Sequence, residues 1–159
     1  ASAGLVYADF RLMDESGQAL GCFETVKYDP HWLLYAILVH CCFLYRRTCM
    51  EQAGEYDPGF EYSEDWEYWI RLSRYCRFKR VPQALYRYRI HRVSMTGEIK
   101  EGTAQMLAFR EFSTYLRQQM PFRWAIFRLK RWLAAIHGDS HPVIKERRNW
   151  LRVVQGERL

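Results

Sequence analysis

The spacing of hydrophobic and polar residues changes along the chain, and the changes mark its elements. Strand formers crowd the start: "GLVYADFRLMD" reads as a strand, and "DESG", Asp14 to Gly17, as a turn with glycine at its end. "QALGCFETV" returns as a second strand. "YDPHWLLYAI" puts Pro30 where a first helical turn accepts it, so a helix is expected there. "LVHCCFLYRR" is a short apolar run expected to be buried, ending in Arg46 and Arg47. "RTCMEQAG" predicts a short helix closed by Gly54, and "EYDPGF" a loop. Helical spacing then runs from Glu64 to about Cys76, and "RFKRVP" and "QALYRYRIH" read as strands. From Val93 onward the pattern is mostly helical, with breaks at Met120-Pro121 and from Gly138 to Pro142. The expected fold class is α/β (mixed α+β), a small sheet with packed helices followed by a helical C-terminal tail. The change in style near residue 95 divides it into residues 1–97 and 98–159.

The helix opens on "EYSEDWEYWIRL", which sets four carboxylates among bulky apolar residues. Ser63 is placed to cap it, and acids in a first turn are favoured by the helix dipole. A capping box needs Glu or Gln where Trp66 stands, so capping explains only some of the acids. Glu67 lies four residues before Arg71, the favourable order for a surface ion pair. Glu64 shares its side with Tyr68 and Arg71. Asp65 is in register with Trp69, Leu72 and Cys76, the stripe expected to face the core. Two readings of Asp65 stand: a helix-start acid, or a carboxylate at the rim of the core whose pKa is tuned to reach a substrate.

Two basic faces add candidates. In "LYRYRIHR", Tyr86, Tyr88 and Ile90 alternate with Arg87, Arg89 and His91. The second set is either a solvated strand face or a stripe that meets phosphate, where Arg fits the geometry and His can bind phosphate or metal. In "FRWAIFRLKRWLAAIH", Phe122 to His137, Phe122, Ala125, Ile126, Leu129, Trp132, Leu133 and Ile136 share one face and Arg123, Arg128, Lys130 and Arg131 the other. This helix either docks on the core or lies on an anionic membrane.

Composition narrows the partners. With 159 residues, 49% of them hydrophobic and 16% aromatic, the chain can build a packed core, and disorder is not expected. A formal charge of +6 points to an anionic partner. No recognition motif supports nucleic acid, and none is expected. The five cysteines, Cys22, Cys41, Cys42, Cys49 and Cys76, form no C-x-x-C pair; buried free thiols in a reducing cytoplasm are expected, without zinc. Neither a signal peptide nor a membrane-spanning run is visible, so a cytoplasmic protein, peripheral at the inner face of the membrane if the tail binds there, is expected. The chain opens almost directly on a strand without an initiator Met, and is expected to follow a preceding part.

The series "EYDPGFEYSEDWEYWIRLSRY" and "LYRYRIHRVS" resembles the second half of family-2 glycosyltransferases, which have the GT-A fold. The matching positions are Gly54-Glu55-Tyr56-Asp57, Glu64-Asp65, Trp69, Arg71-Leu72, Tyr88-Arg89-Ile90-His91 and Ser94, within a resemblance over about residues 4–97. It implies the acceptor-side half of an inverting glycosyltransferase. Asp65 would be the general base that takes the proton of an acceptor hydroxyl as it attacks a nucleotide-sugar. Glu64 would help position that acceptor, a glycan or lipid-linked hydroxyl. Arg89, His91 and Trp69 would contact donor diphosphate or acceptor, with His91 near a divalent metal, Mg2+ or Mn2+. The family's D-x-D metal motif is missing: Asp9 and Asp14 do not make one. Neither Met120 before Arg123-Trp124 nor Arg128 before Arg131-Trp132 supplies the Gln of the processive synthases' Q-x-x-R-W, so polymer synthesis is not expected. The chain by itself is not expected to turn over. The rival reading is a non-catalytic basic, aromatic-rich module for anionic lipid or nucleic acid.

Overall fold

A run of branched and aromatic side chains without a breaker makes β1 (Leu5–Met13) the central strand. The structure, a computed structural model, describes residues 2–34, 36–91, 110, 112–115, 117–118, 122, 125–126 and 128–129. β2 (Ala19–Phe23) returns antiparallel beside the second half of β1, with Phe10 opposite Phe23. The turn between them holds Gly17 at φ 90°, a left-handed conformation that suits glycine. β3 (Phe43–Tyr45) runs antiparallel beside the first half of β1, with Leu5 opposite Tyr45. α1 (Arg47–Ala53) ends, as expected, at Gly54, with φ 80°. α2 (Glu64–Leu72) follows the loop. β4 (Phe78–Arg89) then runs parallel to β1 along its whole length, from Phe78 beside Leu5 to Arg89 beside Met13. The fold is mixed α and β, as the residue pattern predicts.

Alternation along β1 divides the core in two. Leu5 and Tyr7 join Trp66, Tyr68, Trp69, Ile70, Leu72 and Phe78 in the main cluster, which also takes Leu33, Leu38 and Val39. Phe10 and Leu12, on the opposite face, join Phe23 in a smaller cluster flanked by Tyr88 and Ile90.

Four expectations are corrected. The helix expected over "YDPHWLLYAI" does not form; the segment is a series of turns in which Asp29 accepts the amides of His31, Trp32 and Leu33 through its side chain and carbonyl. The indole of Trp66 takes the Leu33 carbonyl at 2.6 Å, an acceptor that a further helical turn would use. α2 stops at Leu72 because the next residues tighten: Arg74 bonds back to Arg71 and Tyr75 to Leu72. The two strands expected around Pro82 are one. Pro82 and Gln83 fall in a register shift between Val81 (beside Ala8) and Ala84 (beside Asp9), where the missing amide of proline breaks no ladder bond. The apolar run before α1 is only half buried: Leu38 and Val39 are inside, whereas Leu44 is 72% exposed on β3.

Part of the span assigned to the tail enters the main core. Phe112 is fully buried, stacked on Trp66 with ring centroids 4.0 Å apart, and Tyr115 meets Phe60 edge to face. The expected breaks at Met120-Pro121 and at Gly138 to Pro142, the division at residue 97, and most of Phe122 to His137 lie outside the described residues. No helix among the described residues is long and apolar enough to cross a membrane.

Candidate functional site

The acids of α2 separate by environment. Ser63 occupies the cap position and is buried, but its side chain makes no cap bond; its carbonyl accepts the Glu67 amide at 3.0 Å. Glu67, expected at the surface, is buried. It holds Arg71 through two bonds of 2.9 and 2.8 Å, and the same guanidinium donates to the Ala53 carbonyl at the end of α1. The pairing with Arg71 is as the spacing predicts, but it joins two helices under cover instead of decorating one. The helix spacing alone does not reveal this, because the Ala53 carbonyl comes from another element.

Asp65 and Glu64 remain, both partly exposed on the first turn of α2. Burial raises the Asp65 carboxyl from 3.8 to about 6, and the like charge of Glu64 adds to the rise. The Trp66 amide and the field of His40 oppose it. His40 is half-buried with its ring against Phe23 and Phe10, at centroid distances of 5.0 and 5.9 Å. Tyr56 lies on the acidic side: its ring stacks on Tyr68 at 4.1 Å. Burial first, then the charges of Tyr45, Asp65, Tyr68 and Glu64, push its phenol above the ordinary range, so it keeps its proton. The result is a carboxylate ionised at neutral pH yet more basic than an ordinary Asp, with a second carboxylate, an imidazole and a phenol around it. Such a group can accept a proton from a hydroxyl held against it.

The other predicted residues lie elsewhere. Trp69 is fully buried, touching Phe43, Tyr45 and Tyr68, so it supports α2 from the core. Arg89 grips the β1–β2 turn through the carbonyls of Glu15, at 2.6 Å, and Asp14, at 3.3 Å. Both bonds use Nη1 alone, and the side chain is otherwise exposed. His91 is exposed just past the end of β4, where the Ile90 amide bonds Met13. Tyr88 joins that end of β4 to the Asp65 neighbourhood indirectly, by packing on the Phe10 ring that also carries His40. Ser94 lies outside the described residues.

Asp9 and Asp14, set aside as metal ligands, are both occupied. Asp9 accepts the amide and hydroxyl of Thr25 at 2.9 and 2.7 Å, and its two oxygens bind Arg80 Nη2 at 2.9 and 2.8 Å. Asp14 accepts Ser16 Oγ and the Gln18 amide within its own turn. No group of three or more His, Cys, Asp or Glu side chains fit to hold a metal occurs among the described residues. The cysteines are all free, but only Cys49 is buried; Cys22 is exposed and the others half-buried. Lone apolar neighbours in sequence misled here, because strand alternation turns Cys22 outward.

Comparison of the chain with models of known protein families finds no match. No curated protein matches it either.

Proposed function

We propose that this chain is the acceptor-side part of an inverting glycosyltransferase with a GT-A-type fold, acting on a nucleotide-sugar donor and a glycan or lipid-linked hydroxyl. The observation that carries the reading is Asp65: a partly exposed carboxylate whose pKa is raised to about 6, at the motif position where the resemblance requires a base. In this reading the acceptor hydroxyl lies against Asp65 and gives up its proton as its oxygen attacks the anomeric carbon. Attack opposite the leaving nucleoside diphosphate inverts that carbon. Glu64 keeps Asp65 basic by its like charge and takes a hydrogen bond from the acceptor. Tyr56, holding its proton, offers a donor at the same site.

The test is transfer by the natural full-length protein from labelled nucleotide-sugars, wild type against Asp65→Asn. The loss expected in the variant is at least about 100-fold, with circular dichroism unchanged. Wild-type activity should rise with pH through about 6 as Asp65 ionises. Full activity in Asp65→Asn removes the proposed base.

The tail favours a membrane setting for the same chemistry, at the cytoplasmic face. Phe122 is 78% and Leu129 55% exposed, although both lie on the helix face that a docked tail would bury. Arg128 is exposed beside them, and the sequence adds Arg123, Lys130 and Arg131. Flotation with vesicles should show binding to anionic but not to neutral lipid, weakened by Phe122→Ser with Leu129→Ser. Equal recovery with no lipid, neutral lipid and anionic lipid removes the membrane reading.

A further inference from the structure

At the end of the sheet where β1 begins, an open depression of about 390 Å³ is lined by Gly4, Arg46, Cys49, Ser73, Arg74, Cys76 and Arg77, among others. It lies away from the acidic turn of α2, at that helix's other end. Two features set it apart. Its lining holds three arginines and no carboxylate. Its wall also holds two thiols from different elements: Cys49 from α1, and Cys76 from the turn after α2.

The thiols are brought together by Gly4. A Cβ on Gly4 would lie 2.7 Å from Cys49 Sγ and 2.8 Å from Cys76 Sγ, so both sulfurs crowd the space a side chain would fill. Cys49 Sγ donates to the Gly4 carbonyl at 3.7 Å and is hydrogen-bonded to Cys76. Burial and the Cys49 contact push the Cys76 thiol up to about 12, so the resting Cys76 stays protonated and reacts slowly. Under those conditions the rate depends on how strongly the reagent is concentrated at the site. A cationic rim concentrates an anion.

We propose that Cys49 and Cys76 form a redox-modification site whose arginine rim selects a small anionic disulfide of the glutathione disulfide class. Cys76 loses its proton and its sulfur attacks one sulfur of the reagent. The reagent's S–S bond breaks, and the departing thiolate takes up a proton. Cys49 loses its proton and attacks Cys76 Sγ of the mixed disulfide, which releases the second reagent thiol in the same way. The two protein thiols are oxidised to one disulfide and one reagent disulfide is reduced to two thiols. The new bond fastens α1 to the end of α2 beneath the first residues of β1. This site is independent of the glycosyl-transfer reading.

The test treats the reduced protein with glutathione disulfide or with neutral bis(2-hydroxyethyl) disulfide, and follows the Cys49–Cys76 cross-link by non-reducing peptide mapping. At low salt the anionic reagent should form it roughly tenfold faster, after correction for the reagents' rates with a free thiol peptide. Salt should narrow that gap. Arg74→Gln with Arg77→Gln, both exposed, should lower the anionic rate and leave the neutral rate unchanged. Cys49→Ser should stop at a mixed disulfide on Cys76. Failure of the Cys49–Cys76 cross-link while Cys22 reacts overturns the site, and equal corrected rates for the two reagents overturn the selection.

Discussion

At the scale of single residues, the environment of Asp65 has a thermodynamic signature separate from catalysis. Folding raises this carboxyl from 3.8 to about 6, so the folded chain holds the proton more tightly than the unfolded chain does. Stability contributed by the protonated form is present below about pH 4 and declines as pH rises toward and past 6. Asp65→Asn removes the ionisation. Its stability relative to wild type should therefore increase between pH 4 and 7, by on the order of 2 kcal/mol, in urea unfolding measured across that range. A flat difference across the range contradicts the raised pKa. The sequence picks out this residue by spacing, since Trp69 and Leu72 on the same stripe are indeed buried. It does not pick out His40 as a neighbour, because an intervening loop brings that ring to the site. Nor does spacing separate a side chain at the rim, such as Asp65, from one sealed inside, such as Trp69.

At the scale of elements, the sheet depends on a polar bond as well as apolar packing. Asp9 is nearly buried in β1, and Arg80 of β4 supplies its countercharge while Thr25 fills its remaining acceptor sites. Arg80→Ala leaves that carboxylate without its cation and should cost about 3 kcal/mol in chemical denaturation. Arg80→Lys should recover only part of this, since one ammonium cannot span both oxygens as the guanidinium does. A charged residue inside "VYADF" is itself a sign that a partner exists. The partner's identity is out of reach of local pattern, because Arg80 arrives from a strand 71 residues away. The first two strands, the hairpin turn and the Gly54 stop are legible because each depends on neighbours along the chain. The aborted helix after Pro30 and the early end of α2 are not, because distant bonds and tight turns decide them.

Across the whole molecule, the sheet and α2 draw on residues far beyond β4. Phe112 fills the space against Trp66, whose indole in turn fixes the Leu33 carbonyl, so three distant segments meet at one point. Phe112→Ala should cost about 3–5 kcal/mol in thermal or urea unfolding, as for other large core truncations. A chain ending before residue 110 should be destabilised similarly. Loss of less than about 1 kcal/mol would mean that the aromatic stack does not support the core. Among the described residues β4 is bonded to β1 alone, and it is a long strand. Its register with β1 is irregular around Pro82, which has no amide to offer, and exposed Lys79, Arg87 and Arg89 lie along its length. A second β4 approaching edge to edge would meet a missing donor, an irregular register and its own positive charge, which oppose the pull of exposed Leu85 and Tyr86 toward pairing between copies.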